Sequence, residues 1–316
     1  DRTEPAAELA PTGMSRVPVY TGTPERLVRI GAHEVASFGN AGGHRDEATI
    51  RSFGEEWGKF NAFDPAEIER VGDEYFDIVP PSLLGPGVLA LDLGCGSGRW
   101  SRYMSGRVGR VEAIDPSEAV FHAATTHGDL PNVRWTQAGV DNIPFAPGTF
   151  DLAICLGVLH HVPDTAGAVR KAAATLRPGG HLLLYLYYAL DGRGPLYRGL
   201  FALSDLFRRL VYRMPGPVKR AVCDLIAVLV YLPLRTLARM ARAVAGTAGW
   251  WRKLPLSYYH DKSFTVLRND SLDRFGTPLE QRFTREQVRR MMADAGLVDI
   301  VFSTGAPYWH AIGRRA

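Results

Sequence analysis

Short apolar runs alternate with helix-length segments through the middle of the chain. The runs predict strands at residues 88–93, 110–114, 132–137, 150–156 and 181–188. Helices are expected between them, at residues 99–104, 117–125 and 165–176. Strands that alternate with helices are typical of βαβ units and of a parallel sheet. We therefore expect an α/β core over residues 86–190, with helices on both faces of the sheet.

The pattern differs before this core. Residues 1–45 are rich in Gly and Pro and predict a flexible N-terminal segment. Residues 46–85 predict an N-terminal helical segment that covers the functional site. It includes a helix from Pro65 to Val79, with Asp64 as its cap and Pro65 at the first helical position.

The strand alternation disappears after Tyr188. A structureless loop of that length is uncommon inside a compact protein, and amphipathic pieces such as GLFALSDLFRRLVY are present. Residues 191–283 therefore predict a large, mostly helical insertion after the fifth strand, a lid that recognises the substrate. Residues 284–316 predict a final capped helix and an antiparallel strand pair that complete the core.

Composition excludes several classes of protein. The net charge of +4 is small for 316 residues, so we expect no nucleic-acid partner. The three cysteines are scattered without a CxxC pair, which argues against a disulfide framework and a zinc site. We expect a cytoplasmic protein without a metal.

The insertion is the most basic part of the chain. Residues 191–253 hold twelve Lys and Arg against three Asp, an excess of nine positive charges. This surface is either a solvated face or a contact for an anionic substrate, a membrane surface or RNA. The apolar run from Leu225 to Leu234 is shorter than the roughly twenty residues of a membrane-spanning helix, so no transmembrane span is expected.

A glycine-rich turn joins the first strand of the core to the next helix, in the segment VLALDLGCGSGRW. Gly94, Gly96 and Gly98 let the chain turn sharply and let a ligand approach the backbone at a helix start. Arg99 stands where a dinucleotide loop would need its third glycine, which argues against NAD and FAD. Asp115 ends the next strand, where a carboxylate can accept both hydroxyls of an adenosine ribose.

Four motifs in this order carry a family resemblance: DLGCGSG, AIDPS, IPFAPGTFDLAICLGVLHHV and LRPGGHLLLY. The chain resembles the class I S-adenosylmethionine-dependent methyltransferases of the small-molecule type (methyltransferase type 11, similar to ubiquinone and menaquinone methyltransferases). The resemblance covers about residues 85–190 and resumes at 284–304. It implies a Rossmann-like sheet of seven strands with one antiparallel strand, and S-adenosyl-L-methionine as the cofactor.

The resemblance also implies the cofactor contacts. Asp92 and the three glycines would surround the methionine part, Asp115 would hold the ribose, and the segment after the fourth strand would lie near the methyl group. Pro116 and Leu156 are further expected cofactor contacts. Relatives often end the third strand with an acidic residue, but Gly139 stands there. Either the backbone of Val140 and the side chain of Asp141 hold the adenine, or this contact is lost.

Methyl transfer is an in-line displacement, so positioning contributes most and a general base is optional. His160 and His161 follow the fourth strand; we expect His160 to face the substrate and His161 to brace the fold. The alternative for both is a histidine that is hydrogen-bonded at a helix start. Tyr188 and His260 are further catalytic candidates, because a tyrosine or histidine can accept a proton.

Four aromatic side chains are expected to contact the substrate or the lid: Trp57, Tyr187, Tyr258 and Tyr259. Phe60 would join Trp57 over the cofactor. Aromatic rings near a sulfonium gain a cation–π contribution. Cys95 is expected to be a small filler in the glycine loop.

These observations predict a methyltransferase that acts on a small metabolite, in natural-product or secondary metabolism. Two alternatives stay open. A lyase or cyclase could use the same cofactor, and a peripheral-membrane or RNA-binding module could retain only the cofactor fold.

Overall fold

The computed structural model describes residues 17–31, 33–39, 50, 64–190, 194–245 and 248–316. In these residues nine strands form one sheet in the order β1-β2-β5-β4-β3-β6-β7-β9-β8. The strands are β1 Arg26–Ile30, β2 His33–Ser37, β3 Gly85–Leu93, β4 Val108–Asp115, β5 Val133–Gln137, β6 Phe150–Leu156, β7 Leu176–Tyr185, β8 Leu297–Phe302 and β9 His310–Arg315.

The helices precede, follow or connect these strands. They are α1 Pro65–Tyr75, α2 Arg99–Ser105, α3 Ala119–Thr126, α4 Thr165–Ala174, α5 Pro195–Val211, α6 Gly216–Ile226, α7 Leu232–Ala245, α8 Phe264–Gly276 and α9 Arg285–Asp294. The π-helical turn Ala227–Tyr231 joins α6 to α7, and short 3-10 turns occupy Pro81–Leu83, Leu159–His161, Gly249–Lys253 and Ser257–Asp261.

The centre of the sheet is parallel. β3 pairs in parallel with β4 and β6, with Asp92 opposite Ala113 and Ile154. β9 runs antiparallel to both β7 and β8. Because parallel strands end at the same edge, the glycine loop, the end of β4 and the residues after β6 meet at one edge of the sheet.

Alternating residues of the strands divide the core into two layers. One face of the sheet packs with residues of α1, α2 and α3, such as Ile68, Trp100 and Val120. The other packs with residues of α4 and α9, such as Val169 and Val288. The helices thus cover both faces, as the alternation predicts, and leave the carboxyl edge of the strands for the site.

Three expectations differ from the structure. Strands β1 and β2 form an antiparallel pair within the segment predicted to be flexible, and Ala36 of β2 pairs with Thr136 of β5. The sheet therefore has two strands beyond the predicted seven. The run Arg177–Gly180 lies inside β7 and not in a loop after α4, because α4 already ends at Ala174.

The predicted helix caps are present. The Asp64 side chain accepts the Ala66 N–H at the start of α1, which ends at Tyr75 and not at Val79. Thr284 and Gln287 form a reciprocal capping box at the start of α9. Trp57 and Phe60, and so the contact predicted for them over the cofactor, lie outside the described residues.

The insertion folds around a small core of its own. Val211, Cys223, Tyr231, Leu267 and Phe275 from α5 to α8 bury one another. The end of the insertion also holds α1: Lys262 Nζ donates to Glu74 at 2.7 Å, and the Ser263 N–H donates to Glu67 at 2.8 Å. Arg70 of α1 pairs with Asp261 at 2.7 Å. The insertion is therefore anchored beside the carboxyl edge of the sheet.

Candidate functional site

The glycine loop has the backbone geometry that its residues predict. Gly94, Gly96 and Gly98 have φ angles of 81°, 52° and 80°, in the left-handed region that glycine adopts without strain. A Cβ at Gly94 would come within 2.6 Å of Val158, and one at Gly98 within 2.7 Å of Trp135. Side chains at these two positions would disrupt the turn between β3 and α2.

Asp115 joins the loop to the end of β4. One carboxylate oxygen accepts the Gly96 N–H at 2.9 Å, and the other accepts the backbone N–H and hydroxyl of Ser117 at 2.8 and 2.6 Å. Burial raises the pKa of Asp115, and the bonds from Ser117 and Gly96 oppose that rise. These bonds fix a carboxylate beside the glycine loop, in the place expected for the ribose ligand.

Asp92 is a second buried carboxylate under the loop. It accepts the Ser101 hydroxyl at 2.6 Å and is almost wholly shielded from solvent. Burial raises its pKa to about 7, with a further increase from the charge of Asp115, while Ser101 and Arg99 oppose the shift. A positively charged ligand would favour the ionised form of this side chain.

These residues fit S-adenosylmethionine. Its sulfonium and ammonium groups are cations, which the desolvated Asp92 carboxylate would favour. Its ribose hydroxyls are donors that Asp115 can accept, and the glycine loop leaves room for close approach to the backbone. Cys95 is buried with a pKa well above its usual value because of desolvation, as expected of a filler residue.

His160 and His161 are both buried but have different surroundings. His161 Nδ1 lies 2.6 Å from the Leu279 carbonyl, and its Nε2 lies 3.5 Å from Asp273. Neither ring nitrogen of His160 has a hydrogen-bond partner among the described residues. Burial and the nearby charges of His161 and Arg282 lower the pKa of His160 well below its usual value. His160 is therefore a neutral imidazole.

Tyrosine rings surround His160. The Tyr187 ring stacks on His160 with 3.8 Å between centroids, and Tyr185 lies edge-on at 6.5 Å. Tyr75 of α1 contacts Tyr185 in turn at 5.3 Å. The Tyr187 hydroxyl donates to Asp273. These contacts make an aromatic wall at the ends of β6 and β7.

Helix α8 contributes two carboxylates to this wall. Asp270 and Asp273 are three residues apart and so share one face of the helix. Burial raises the pKa of Asp270 to about 6, against a hydrogen bond from Tyr259. Burial would also raise the pKa of Asp273, but His161 and Tyr187 outweigh it and the net shift is downward. The charge of Arg99 acts on both carboxylates, so α8 faces the helix that follows the glycine loop.

The insertion tyrosines reach this region, whereas His260 does not. Tyr259 bonds to Asp270, and the Tyr258 hydroxyl donates to Glu74 at 3.1 Å. His260 instead lies 2.6 Å from Arg242 and packs on Trp251. Successive residues of a 3-10 turn point about 120° apart, which turns His260 away from its neighbours. These contacts do not support the catalytic role predicted for His260, which stays a prediction.

Two other predicted side chains lie elsewhere. Tyr188 packs against Tyr308 and Trp309, away from the cluster around His160, because alternate residues of an extended chain face opposite ways. The Asp141 carboxylate forms an ion pair with Lys171, so the structure does not support its predicted contact with adenine. Pro116 and Val140 are half-buried and Leu156 is buried, and each lies at or just after the end of a strand at the same edge.

The sequence interpretation missed Asp270 and Asp273. The available signal was a pair of aspartates at i and i+3 in FTVLRNDSLDRFG, on a helix that also carries the buried Leu267 and Phe275. A carboxylate on the inward side of an amphipathic helix is costly unless it has a role. The missing element was the position of α8 in space, which no local pattern shows.

Comparison with known proteins agrees with this geometry. Residues 91–184 match the family described as "Methyltransferase domain". The ubiquinone biosynthesis O-methyltransferase of Marinobacter nauticus is 38% identical over 103 residues, which are 31% of this chain and 43% of that protein. The tRNA U34 carboxymethyltransferase of Campylobacter curvus is 30% identical over 132 residues, 41% of this chain and 42% of that protein. The chain thus spans less than half the length of these two relatives.

Among solved structures, an O-methyltransferase family protein from Burkholderia thailandensis aligns with a TM-score of 0.48 and 16% identity, over 81% of this chain and 58% of that one. The matched family residues run from the end of β3 to the end of β7 and include Asp92, the glycine loop, Asp115 and His160. The chain therefore contains a class I S-adenosylmethionine-dependent methyltransferase domain with a Rossmann-like fold, and S-adenosylmethionine is the cofactor of that domain.

Proposed function

We propose that the chain transfers a methyl group from S-adenosylmethionine to a hydroxyl oxygen of a small aromatic acceptor, bound between the strand ends and α8. The observation that carries this proposal is His160. It is fully buried and neutral, its ring is fixed by stacking on Tyr187, and neither ring nitrogen has a partner in the described part of the chain. A neutral imidazole in that state is suited to accept a proton.

The chain's residues divide the work by position. When bound, S-adenosylmethionine supplies a methyl group on a positively charged sulfur. The glycine loop and Asp115 fix its adenosine, and the aromatic wall holds the acceptor in line with the methyl group. A ring nitrogen of His160 would accept the proton of the acceptor hydroxyl as that oxygen takes the methyl group that the cofactor would supply. Alignment of this kind can lower the activation free energy by roughly 7–11 kcal/mol.

The carboxylates of α8 have distinct parts in this scheme. Asp273 accepts the Tyr187 hydroxyl and lies near His161, so it holds in place the ring on which His160 stacks. Asp270 is half-buried and its pKa of about 6 reflects incomplete compensation of its charge. We propose that the Asp270 carboxylate binds a hydrogen-bond donor or a cationic group of the bound cofactor or acceptor.

The names of the relatives bear on the acceptor. The O-methyltransferase name of the Marinobacter relative supports an oxygen nucleophile, and ubiquinone biosynthesis supports an aromatic ring. Nothing in these names points to natural-product metabolism, which the sequence interpretation favoured. An RNA acceptor, as in the name of the Campylobacter relative, is less suited to the small net charge of +4.

We also propose that residues 194–276 act as a lid over the acceptor. The support is the placement of Tyr258, Tyr259 and α8 against α1 and Tyr187, through the bonds to Glu74 and the Asp273 contact. A roof at this edge excludes water from the displacement and orients the acceptor. The three buried, unbridged cysteines fit the reducing cytoplasm that we propose as its location.

The test is a turnover assay with S-adenosylmethionine and a panel of phenols and catechols, with cell extract as a second source of acceptors. Mass spectrometry measures S-adenosylhomocysteine and any product that gains a methyl group. We expect His160→Gln to reduce turnover about 100-fold or more while cofactor binding is retained. His122→Gln, on the exposed face of α3, is the matched control.

Two results would overturn the proposal. Methylation at nitrogen or carbon with normal turnover in His160→Gln would remove the assigned base. Cofactor consumption without S-adenosylhomocysteine would favour a lyase or cyclase that uses the same domain.

A further inference from the structure

The insertion helices expose an unusual amount of apolar surface. Within the described residues, α5 and the continuous helix from α6 to α7 carry large side chains that are 43% to 84% exposed. They are Leu203, Leu206, Phe207 and Leu210 on α5, and Val218, Leu225, Val228, Leu229, Val230, Leu237, Met240 and Val244 on the second helix. Single exposed apolar residues are ordinary, but twelve large ones on two helices of one insertion indicate an interaction surface.

These side chains lie on the faces turned away from the insertion's own core. On the second helix Cys223, Ala227, Tyr231 and Ala238 are buried, at spacings close to one or two helical turns. On α5, Phe207 contacts Phe275 of α8 at its edge while Leu206 and Leu210 point to solvent. Both helices are therefore two-sided, with one face packed on α8 and an apolar face outside.

Basic residues accompany the apolar face. Residues 195–245 contain nine Lys and Arg and two Asp. Both acids are bound to arginines of the insertion: Asp205 to Arg208 and Arg209, and Asp224 to Arg268. Arg198 and Arg239 are exposed. The surface thus combines apolar side chains with positive charge. It is complementary to a layer that has an apolar interior and negatively charged groups on its surface.

The second helix, Gly216–Ala245, is long and apolar enough to cross a membrane, and only 28% of its most apolar window is buried. This length was not evident from the ten-residue apolar run. However, its inner face is attached to α8 and to the residues before it. The Ser271 hydroxyl donates to the Cys223 carbonyl at 2.8 Å, and Arg235 donates to the Lys262 carbonyl at 3.0 Å. A span would break these contacts, whereas a helix lying in the bilayer surface keeps them.

We propose that the outer face of α5 and of the α6–α7 helix binds the surface of an anionic lipid bilayer. The apolar side chains enter the boundary between headgroups and acyl chains, and the arginines contact the anionic headgroups. Trp250, which is half exposed just after α7, is of the residue type that favours this boundary. This surface does not depend on the reaction, since none of its exposed residues belongs to the site.

The test is co-sedimentation of the full chain with vesicles of phosphatidylcholine alone, or of phosphatidylcholine mixed with phosphatidylglycerol. We expect binding to the mixed vesicles that weakens with salt. Leu229→Ser with Met240→Ser should reduce binding at least tenfold, since both side chains are 63% exposed. Arg198→Gln with Arg239→Gln should reduce it about tenfold or more, on the mixed vesicles only.

Matched controls are Val301→Ser on β8, which is 52% exposed, and Arg290→Gln on α9. Both should bind the mixed vesicles as the parent chain does. Near-native circular dichroism and S-adenosylhomocysteine binding show that each variant is folded.

Three outcomes would overturn the proposal. Equal binding of the Leu229 and Met240 variant and the parent chain to the mixed vesicles would exclude the apolar face. A stable dimer by light scattering that Leu229→Ser with Met240→Ser converts to a monomer would assign the face to a second copy. Binding of RNA in place of vesicles, lost with Arg198→Gln and Arg239→Gln, would assign the charge to nucleic acid.

Discussion

The sheet edge and the insertion use their residues in opposite ways. The strands and the loops after them bury nearly all of their apolar side chains and fix the polar ones: Asp115 alone accepts three hydrogen bonds from Gly96 and Ser117. The insertion buries a small core and leaves a dozen large apolar side chains exposed. The first region carries the cofactor loop, and we call it the platform. The second is the region to which we assign the acceptor contacts and the membrane surface.

The two regions nevertheless share a feature where they meet. Asp92 under the glycine loop and Asp270 on α8 both have raised pKa values because burial disfavours their charge. At neutral pH the ionised form of each side chain is therefore less favourable than that of an exposed carboxylate. Buried carboxylates with raised pKa values are frequent at functional sites, so the contact between platform and insertion is where we expect charged ligands to bind.

The largest expected effect is the loss of methyl transfer when the insertion is removed from the chain. Replacement of residues 194–276 by a short Gly/Ser linker should reduce methyl transfer below detection, because Tyr259, Asp270 and Asp273 are removed. Binding of S-adenosylhomocysteine should change little, because Asp115 and the glycine loop remain. Isothermal calorimetry and a turnover assay on the same preparation measure both.

A shortened enzyme that still methylates its acceptor at the normal rate would refute the lid. If the shortened chain fails to fold, Tyr259→Ala with Asp273→Ala tests the same contacts in the full chain. That variant should likewise retain binding and lose turnover.

The second prediction affects the platform alone. Asp115→Ala should weaken S-adenosylhomocysteine binding by about 100-fold, since charge-assisted hydrogen bonds contribute roughly 1.5–3 kcal/mol each. Asp129→Ala, whose carboxylate is largely exposed in a pair with Arg102, is the control and should bind normally. Near-native affinity in a folded Asp115→Ala enzyme would show that the ribose is held elsewhere.

The platform was predictable because its signals are local. The order of strand, glycines, helix, strand and Asp115 constrains the backbone over a short stretch, so β3, β4 and the loop follow from the sequence. The strand β6 was predicted at its exact bounds, residues 150–156.

The insertion was predicted only as helical. Amphipathic periodicity shows that a helix buries one side, but not which partner it meets, and Asp270 faces the site only because α8 packs across α5 and α6. The side chains of Tyr188 and His260 lie away from His160 for a related reason. Each is adjacent in sequence to a residue of the pocket, and the local rotation of the chain turns it away. The antiparallel pair β1–β2 depends on pairing with β5, a distant segment.

The third prediction contrasts two carboxylates on one helix. The folded-state pKa of Asp270 is raised to about 6, so stability falls as pH rises from about 4 to 6 and the deficit persists at pH 7. Asp270→Asn should therefore increase the free energy of unfolding by about 2 kcal/mol at pH 7. Asp273 has a lowered pKa, so Asp273→Asn should destabilise the protein. Denaturant unfolding measures both.

Turnover should fall in both variants, and the opposite changes in stability distinguish a site residue from a supporting one. A loss of stability in Asp270→Asn equal to that in Asp273→Asn would contradict the assignment of Asp270 to a ligand.

The fourth prediction concerns the buried histidine. The pKa of His160 is lowered well below its usual value by burial, so the unfolded chain binds the proton more readily. Stability should therefore fall as pH drops below about 6.5, by at most ~1.4 kcal/mol per pH unit from this group. His160→Gln should remove that slope and His122→Gln should keep it, as followed by thermal unfolding between pH 5 and 7. An unchanged slope in His160→Gln would show that another group is responsible.

The smallest effect expected is a pH dependence of cofactor affinity that arises from Asp92. With a pKa of about 7, Asp92 is partly protonated near neutral pH, and a bound cation favours its charged form. Binding of S-adenosylmethionine should therefore release a fraction of a proton, and affinity should rise with pH and level off above about 8. The change in affinity is at most about tenfold per pH unit below the pKa.

Calorimetry in two buffers of different ionisation enthalpy measures the proton release directly. S-adenosylhomocysteine lacks the sulfonium charge and should show a weaker dependence. Asp92→Asn should also show a weaker dependence, because Asp270, with a pKa of about 6, still titrates in this variant. An equal pH dependence for both ligands would place the sulfonium away from Asp92 and leave only the ammonium group beside it.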